Sequence, residues 1–140
     1  MTETYKQQAT RHVRTAEHLL RTTYPLLQDP KLLLGVLHNL YDAQKLALDH
    51  LLSEIGHDPH HYASAESKMR ILQFQSKDCM PASRIRLITD TRQLVERHHG
   101  APVEFRRKGT YVMCSDAYEM TTLSEENLDS ILQKTKEMVK

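Results

Sequence analysis

With 140 residues, 39% of them hydrophobic and 26% charged, the chain has the size and balance of one domain around a single core, which argues against a second domain. Four Gly, five Pro, two Phe, six Tyr and no Trp fall short of the turn-residue and aromatic content of an all-β chain, so helix is expected to dominate. The formal net charge of +1 conceals an uneven distribution: residues 66–109 carry ten Lys/Arg against five Asp/Glu, while the segments before and after are slightly acidic. Clustering of this kind is the electrostatic footprint of a polyanion-binding face, or simply a solvated helix surface.

Cys79 and Cys114 are too few and too far apart for a disulfide framework or a four-ligand zinc site, which predicts two reduced thiols. The first residues, MTETYKQQATRHVR, are polar where a signal peptide is apolar, and no run reaches the roughly 18 apolar residues of a membrane span. A cytoplasmic protein with no membrane partner is expected.

Thr4 and Gln7 have capping-box spacing, and Tyr5, Ala9, Val13, Ala16, Leu19 and Leu20 follow at helical steps. That helix is expected to end near Thr23, because Tyr24 precedes Pro25. The longest apolar-periodic run is Asp29 to Gly56. Asp29 and Pro30 suit its start and Gly56 its left-handed end. Leu33, Val36, Leu37, Leu40, Ala43, Ala47, Leu51 and Leu52 make its stripe, and Leu34, Tyr41, Leu48 and Ile55 widen it beyond what one partner covers. The short connection before it predicts an antiparallel pair with the first helix.

A polar loop, HDPHHYASAES, leads to a cap at Ser64 and a short helix from Glu66 to about Lys77. Pro81 is the expected first residue of a fourth helix, with Ile85, Ile88 and Val95 on one face and Gly100-Ala101-Pro102 as its stop. Residues 103–105, 110–114 and 118–123 read as short strands about the basic turn 106–109, and Ser124 caps a last helix striped by Leu128, Ile131, Leu132, Thr135, Met138 and Val139. The fold expected is mainly α: one domain over 1–140, an antiparallel four- or five-helix bundle with a small β-hairpin or meander at 103–123 before the C-terminal helix. The apolar excess on the helix 29–56 predicts a homodimer.

On the fourth helix, Arg92 and His99 are seven residues apart, so they point nearly the same way, about 10.5 Å apart along the axis. The segment RQLVERHH resembles the Arg-x(4–6)-His motif of the HEPN superfamily, small helical bundles many of which are metal-independent endoribonucleases acting as dimers. The likeness covers about the first hundred residues, and Gln93 stands where active members often carry Asn, Asp or His. The resemblance implies that Arg92 would stabilise a scissile phosphate and that His98 or His99 would assist attack by the 2′-hydroxyl. A helix C-terminus at which Arg97, His98 and His99 offset exposed carbonyls accounts for the same residues without chemistry.

The loop His57-Asp58-Pro59-His60-His61 and the residues His38, Asp42, Asp49 and His50 carry ligand-type side chains. The paired Glu-x-x-His pattern of di-metal bundles is broken by Gly56, so neither a metal nor another cofactor is expected. No phosphate-binding glycine loop, dinucleotide fingerprint or nucleophile elbow is present. A short helix, a second helix with Arg84, Arg86, Arg92 and Arg97, and a hairpin tipped by Arg106, Arg107 and Lys108 partly match a winged helix-turn-helix. The function expected is therefore a non-enzymatic binding module that meets RNA or DNA through the basic segment 66–109, with Arg84, Arg86, Arg97, Arg106, Arg107 and Lys108 as contacts. A HEPN-like ribonuclease using Arg92, His98 and His99 is the enzymatic alternative, and a structural dimerisation module the third.

Overall fold

The computed structural model describes residues 3–75, 78 and 80–140. Cys79 and Lys77, the expected last residue of the short helix, lie outside the described residues.

The chain opens with α1 (Tyr5–His18), whose capping box is complete: Thr4 Oγ1 accepts from Gln7 N–H at 3.1 Å and the Gln7 side chain accepts from Thr4 N–H at 2.9 Å. Contrary to expectation it does not stop before Pro25. A π-helical turn, Leu19–Thr23, carries it into α2 (Tyr24–Leu27), and Gln28 closes the run at φ 50°. The wider turn, in which Tyr24 N–H reaches Leu19 C=O, makes room for the Pro25 ring where a regular helix would press it against a carbonyl.

The long helix α3 (Leu32–Glu54) starts two residues later than the cap signal suggested. Asp29 and Pro30 form a turn ahead of it: the Asp29 carboxylate accepts from Lys31 N–H at 3.0 Å, and the carbonyls of Asp29 and Pro30 accept from Leu32 and Leu33. Its end follows the expected pattern. Gly56 sits at φ 83°, with His57 N–H on Leu52 C=O and Gly56 N–H on Ser53 C=O, a Schellman closure. Then come a 3₁₀ turn (Pro59–His61), α4 (Ala65–Gln75), where Ser64 Oγ accepts from Ser67 N–H, and α5 (Ala82–His99), for which Pro81 is the cap rather than the first helical residue.

Strands β1 (Val103–Arg107), β2 (Thr110–Cys114) and β3 (Met120–Ser124) form an antiparallel meander in that order, before α6 (Glu125–Val139), which Ser124 caps through Asn127 N–H. The molecule is thus mainly helical, with a three-stranded sheet ahead of the C-terminal helix.

Helix α3 is the hub. His12 on α1 bonds Asn39 at 3.0 Å and Leu19, just beyond α1, lies against Gly35, so α1 runs antiparallel to α3, and the hydrogen bond from Gln44 to Thr91 together with the contact of His38 with His99 sets α5 antiparallel on another side. Leu33, Leu34, Val36, Leu37, Leu40, Ala43, Ala47, Leu48 and Leu52 are all buried within the one chain. Of the residues whose surplus predicted a homodimer, Leu34 and Leu48 are buried within the one chain and Tyr41 and Ile55 are half-buried against its core, because α1, α4, α5 and α6 each take a sector of α3.

At the centre lie three polar side chains with no solvent exposure, Gln44, Thr91 and Thr135. Gln44 Nε2 donates to Thr91 Oγ1 at 3.1 Å and to Thr135 Oγ1 at 3.0 Å, and each threonine donates in turn to the carbonyl four residues back. One side chain thus joins α3, α5 and α6, and its N–H groups are satisfied by hydroxyls that are already oriented.

Candidate functional site

The sheet stands at the end of the helical body where α3 begins and α5 ends. Its inner face, carrying Glu104, Arg106, Tyr111, Met113, Thr121 and Leu123 by register, packs on the helices, and Tyr111, Met113 and Leu123 are buried there. The hairpin tip is anchored across the chain: Tyr24 Oη donates to Gly109 C=O at 3.4 Å, and Arg106 Nη1 reaches Asp29 Oδ1 at 3.2 Å.

This docking gathers a histidine cluster. Neither composition nor spacing points to His38 on α3 as part of it. The His38 ring lies 5.3 Å from that of His98 and 5.9 Å from that of His99, and the latter two are 5.4 Å apart, centroid to centroid. His98 Nδ1 meets Glu104 Oε2 at 2.6 Å. An ionised carboxylate only accepts, so in this contact Nδ1 carries the proton and donates. Burial pushes His38 below its ordinary value, and the neighbouring His98 and His99 push the same way, with Asp42 opposing. A neutral imidazole next to one oriented by a carboxylate is a pairing able to move protons. Among the described residues no group of three or more His, Cys, Asp or Glu side chains is arranged to hold a metal ion.

Arg92, the other half of the HEPN-type motif, is held elsewhere on α5. Its Nη1 lies 2.7 Å from Glu66 Oε1 on α4, and its Nε lies 3.6 Å from Glu96 Oε1, a buried N–H too far from that carboxylate for a hydrogen bond. The structure thus brings His98 and His99 together with His38 and ties Arg92 to two carboxylates one to two turns away.

The cationic residues divide into three places. Arg84 and Arg86 stand near the start of α5, about 16–20 Å along the axis from Arg97. They line a crevice with Asp90, Lys134 and Glu137, where opposite charges alternate, and Arg84 is half-buried rather than projecting from the surface. Arg97 donates to Thr121 Oγ1 at 2.8 Å and so braces α5 against β3. Arg106, Arg107 and Lys108 are exposed together at the hairpin tip. A segment that is uniformly basic in sequence is therefore not one basic face in space.

Several of the remaining sequence candidates are held by other side chains or the backbone. His57 Nδ1 bonds Tyr62 Oη at 2.7 Å, Asp58 accepts from His60 N–H, and Asp49 pairs with Lys68 on α4 at 2.6 Å. Compared with known families, curated proteins and solved structures, the chain finds no match in any of the three.

Proposed function

We propose that this chain is a nucleic-acid-binding module, with RNA as the first partner, and that its contact surface is the tip and outer face of the β1–β2 hairpin rather than the whole segment 66–109. The observation that carries the reading is the cationic hairpin tip: the expected turn 106–109 narrows to a two-residue loop in which Lys108 stands exposed, with Arg107 exposed on the outer face beside it, while Arg106, exposed on the inner face, pairs with Asp29. Phosphate recognition asks for clustered, mobile cations and little else. The helical part, read as an antiparallel bundle of four or five helices, is the support that holds the hairpin out. Arg84, Arg86 and Arg97 serve that support or lie apart from the interface.

The reading is tested by fluorescence anisotropy with a short labelled RNA across a salt series. Affinity should fall steeply with salt, and replacing Arg106, Arg107 and Lys108 with Ala should flatten the log–log slope by about 2, at roughly 0.7 for each phosphate no longer neutralised. Undetectable binding at low salt removes the proposal.

A metal-independent ribonuclease is the second reading, favoured by the cluster of His38, His98 and His99 with Glu104. Its test is cleavage of RNA in the presence of a chelator, abolished in His98→Ala, His99→Ala and Arg92→Ala. Cleavage that survives all three substitutions does not belong to this site.

A further inference from the structure

We infer that the crevice between the start of α5 and the end of α6 binds a small zwitterion with an apolar tail, of the class of the aliphatic α-amino acids. It lies at the opposite end of α5 from the sheet, so the inference is independent of the nucleic-acid reading above.

The crevice has a volume of about 420 Å³, the size of a small-molecule site. Leu87 on α5 and Ile131 and Met138 on α6 make its apolar lining; Leu87 and Met138 are buried and Ile131 is half-buried. The two walls are fixed to each other through the core. Thr91, one turn on from Leu87, and Thr135, between Ile131 and Met138, meet the same Gln44 side chain. The lining is therefore formed before any ligand arrives, and binding does not have to order it.

The rim carries charges of both signs: Arg84, Arg86 and Asp90 on α5, Lys134 and Glu137 on α6. Glu137 pairs with Lys140 at 3.1 Å, and Arg84 is half-buried with a partner of its own. Arg86, Asp90 and Lys134 are exposed, and among the described residues none of their side chains makes an ion pair or a hydrogen bond. Arg86 and Asp90 stand four apart on one helix, a spacing at which opposite charges ordinarily meet, yet they do not come within ion-pair distance. Two cations and one carboxylate thus stay open around an apolar lining. A ligand carboxylate is matched by Arg86 and Lys134, a ligand ammonium by Asp90, and an aliphatic side chain by Leu87, Ile131 and Met138. A polyphosphate would meet the carboxylates of Asp90 and Glu137, and a metal cation would find one uncommitted carboxylate beside two cations. A wholly apolar molecule would leave all three open charges without a partner.

Leucine is the probe. In a methyl NMR titration the resonances of Leu87, Ile131 and Met138 should shift saturably, with a dissociation constant of about a millimolar. N-acetyl-leucine, which lacks the ammonium, and leucinamide, which lacks the carboxylate, should each bind about fivefold more weakly. Asp90→Asn should lower leucine to the affinity of N-acetyl-leucine, and Arg86→Gln with Lys134→Gln should lower it to that of leucinamide. These side chains are exposed, so the variants should unfold thermally as the unaltered chain does. Methyls unshifted by leucine at tens of millimolar overturn the inference. So does equal binding of either blocked form, or an unchanged leucine affinity in Asp90→Asn. RNA affinity, measured on the same variants, should not change, so the loss of either reading leaves the other standing.

Discussion

His98 and Glu104 lie six residues apart, and the 2.6 Å contact between His98 Nδ1 and Glu104 Oε2 closes the turn between the end of α5 and the first strand. Both side chains are largely screened from solvent, so this hydrogen bond to a charged group should hold the sheet at its angle to the helices. A double-mutant cycle with His98→Ala and Glu104→Ala, measured by urea unfolding, is expected to give a coupling of about 1 kcal/mol. Additive losses would show that the docking of the sheet depends on Tyr111, Met113 and Leu123 alone.

His38 makes stability depend on pH in a definite direction. In the unfolded chain it takes up its proton near about 6.5, whereas in the folded protein burial first, and then His98 and His99, hold it to a lower value, against Asp42 and with Lys45 adding to the depression. The unfolded state binds more protons between those two values. The contribution of His38 is therefore complete above about pH 6.5 and fades as pH falls toward the folded value. Urea midpoints for His38→Gln should fall less on acidification than those of the unaltered chain, and parallel curves would exclude the effect.

Gln44 separates polar from steric contributions to the core. Its Oε1 is buried and accepts no hydrogen bond among the described residues, while Thr91 and Thr135 keep their own carbonyl acceptors whatever occupies position 44. Gln44→Leu should thus cost less than about 1 kcal/mol or stabilise, whereas Gln44→Ala should cost roughly 2 kcal/mol or more through the cavity it leaves. If Leu costs as much as Ala, the hydrogen bonds joining the three helices matter more than filled volume.

Gly109 is the turn residue of the proposed interface. It sits at φ 73° with open space where a Cβ would be, so strain rather than collision opposes a side chain. Gly109→Ala should destabilise the protein by about 1–2 kcal/mol and weaken RNA binding, since the tip positions Arg107 and Lys108. Thermal unfolding together with anisotropy distinguishes a loosened turn from a direct effect on phosphate binding.

The order of elements was readable because each carries its own local signal: Thr4 and Gln7, Ser64, Ser124 and Gly56 all perform the capping or closing task their residue type suits. The long apolar stripe of α3 likewise declared its burial, but not whose surfaces would cover it. What stayed illegible was non-local. His38 joins His98 and His99 across some sixty positions of chain, and no periodicity reports such a meeting. Charge counting over 66–109 could not show that α5 places Arg84 and Arg97 at opposite ends, or that Arg92 meets Glu66. Pro25 misled for a physical reason, since a propensity rule judges a regular helix and the chain supplies a wider turn instead.

The π-helical turn at Leu19–Thr23 also sets a rotational phase. Tyr24 follows it directly, and its hydroxyl reaches the carbonyl of Gly109, so the angle at which the first helix delivers that side chain determines whether the hairpin tip is held. Deleting one residue from 19–23 would close the wide turn to a regular one, press the Pro25 ring against a carbonyl of the preceding turn and so displace Tyr24 from Gly109. The length of the first helix is thus keyed to a loop 85 positions downstream, and variation in chain length should be tolerated at the polar loop after Gly56 but not within this turn.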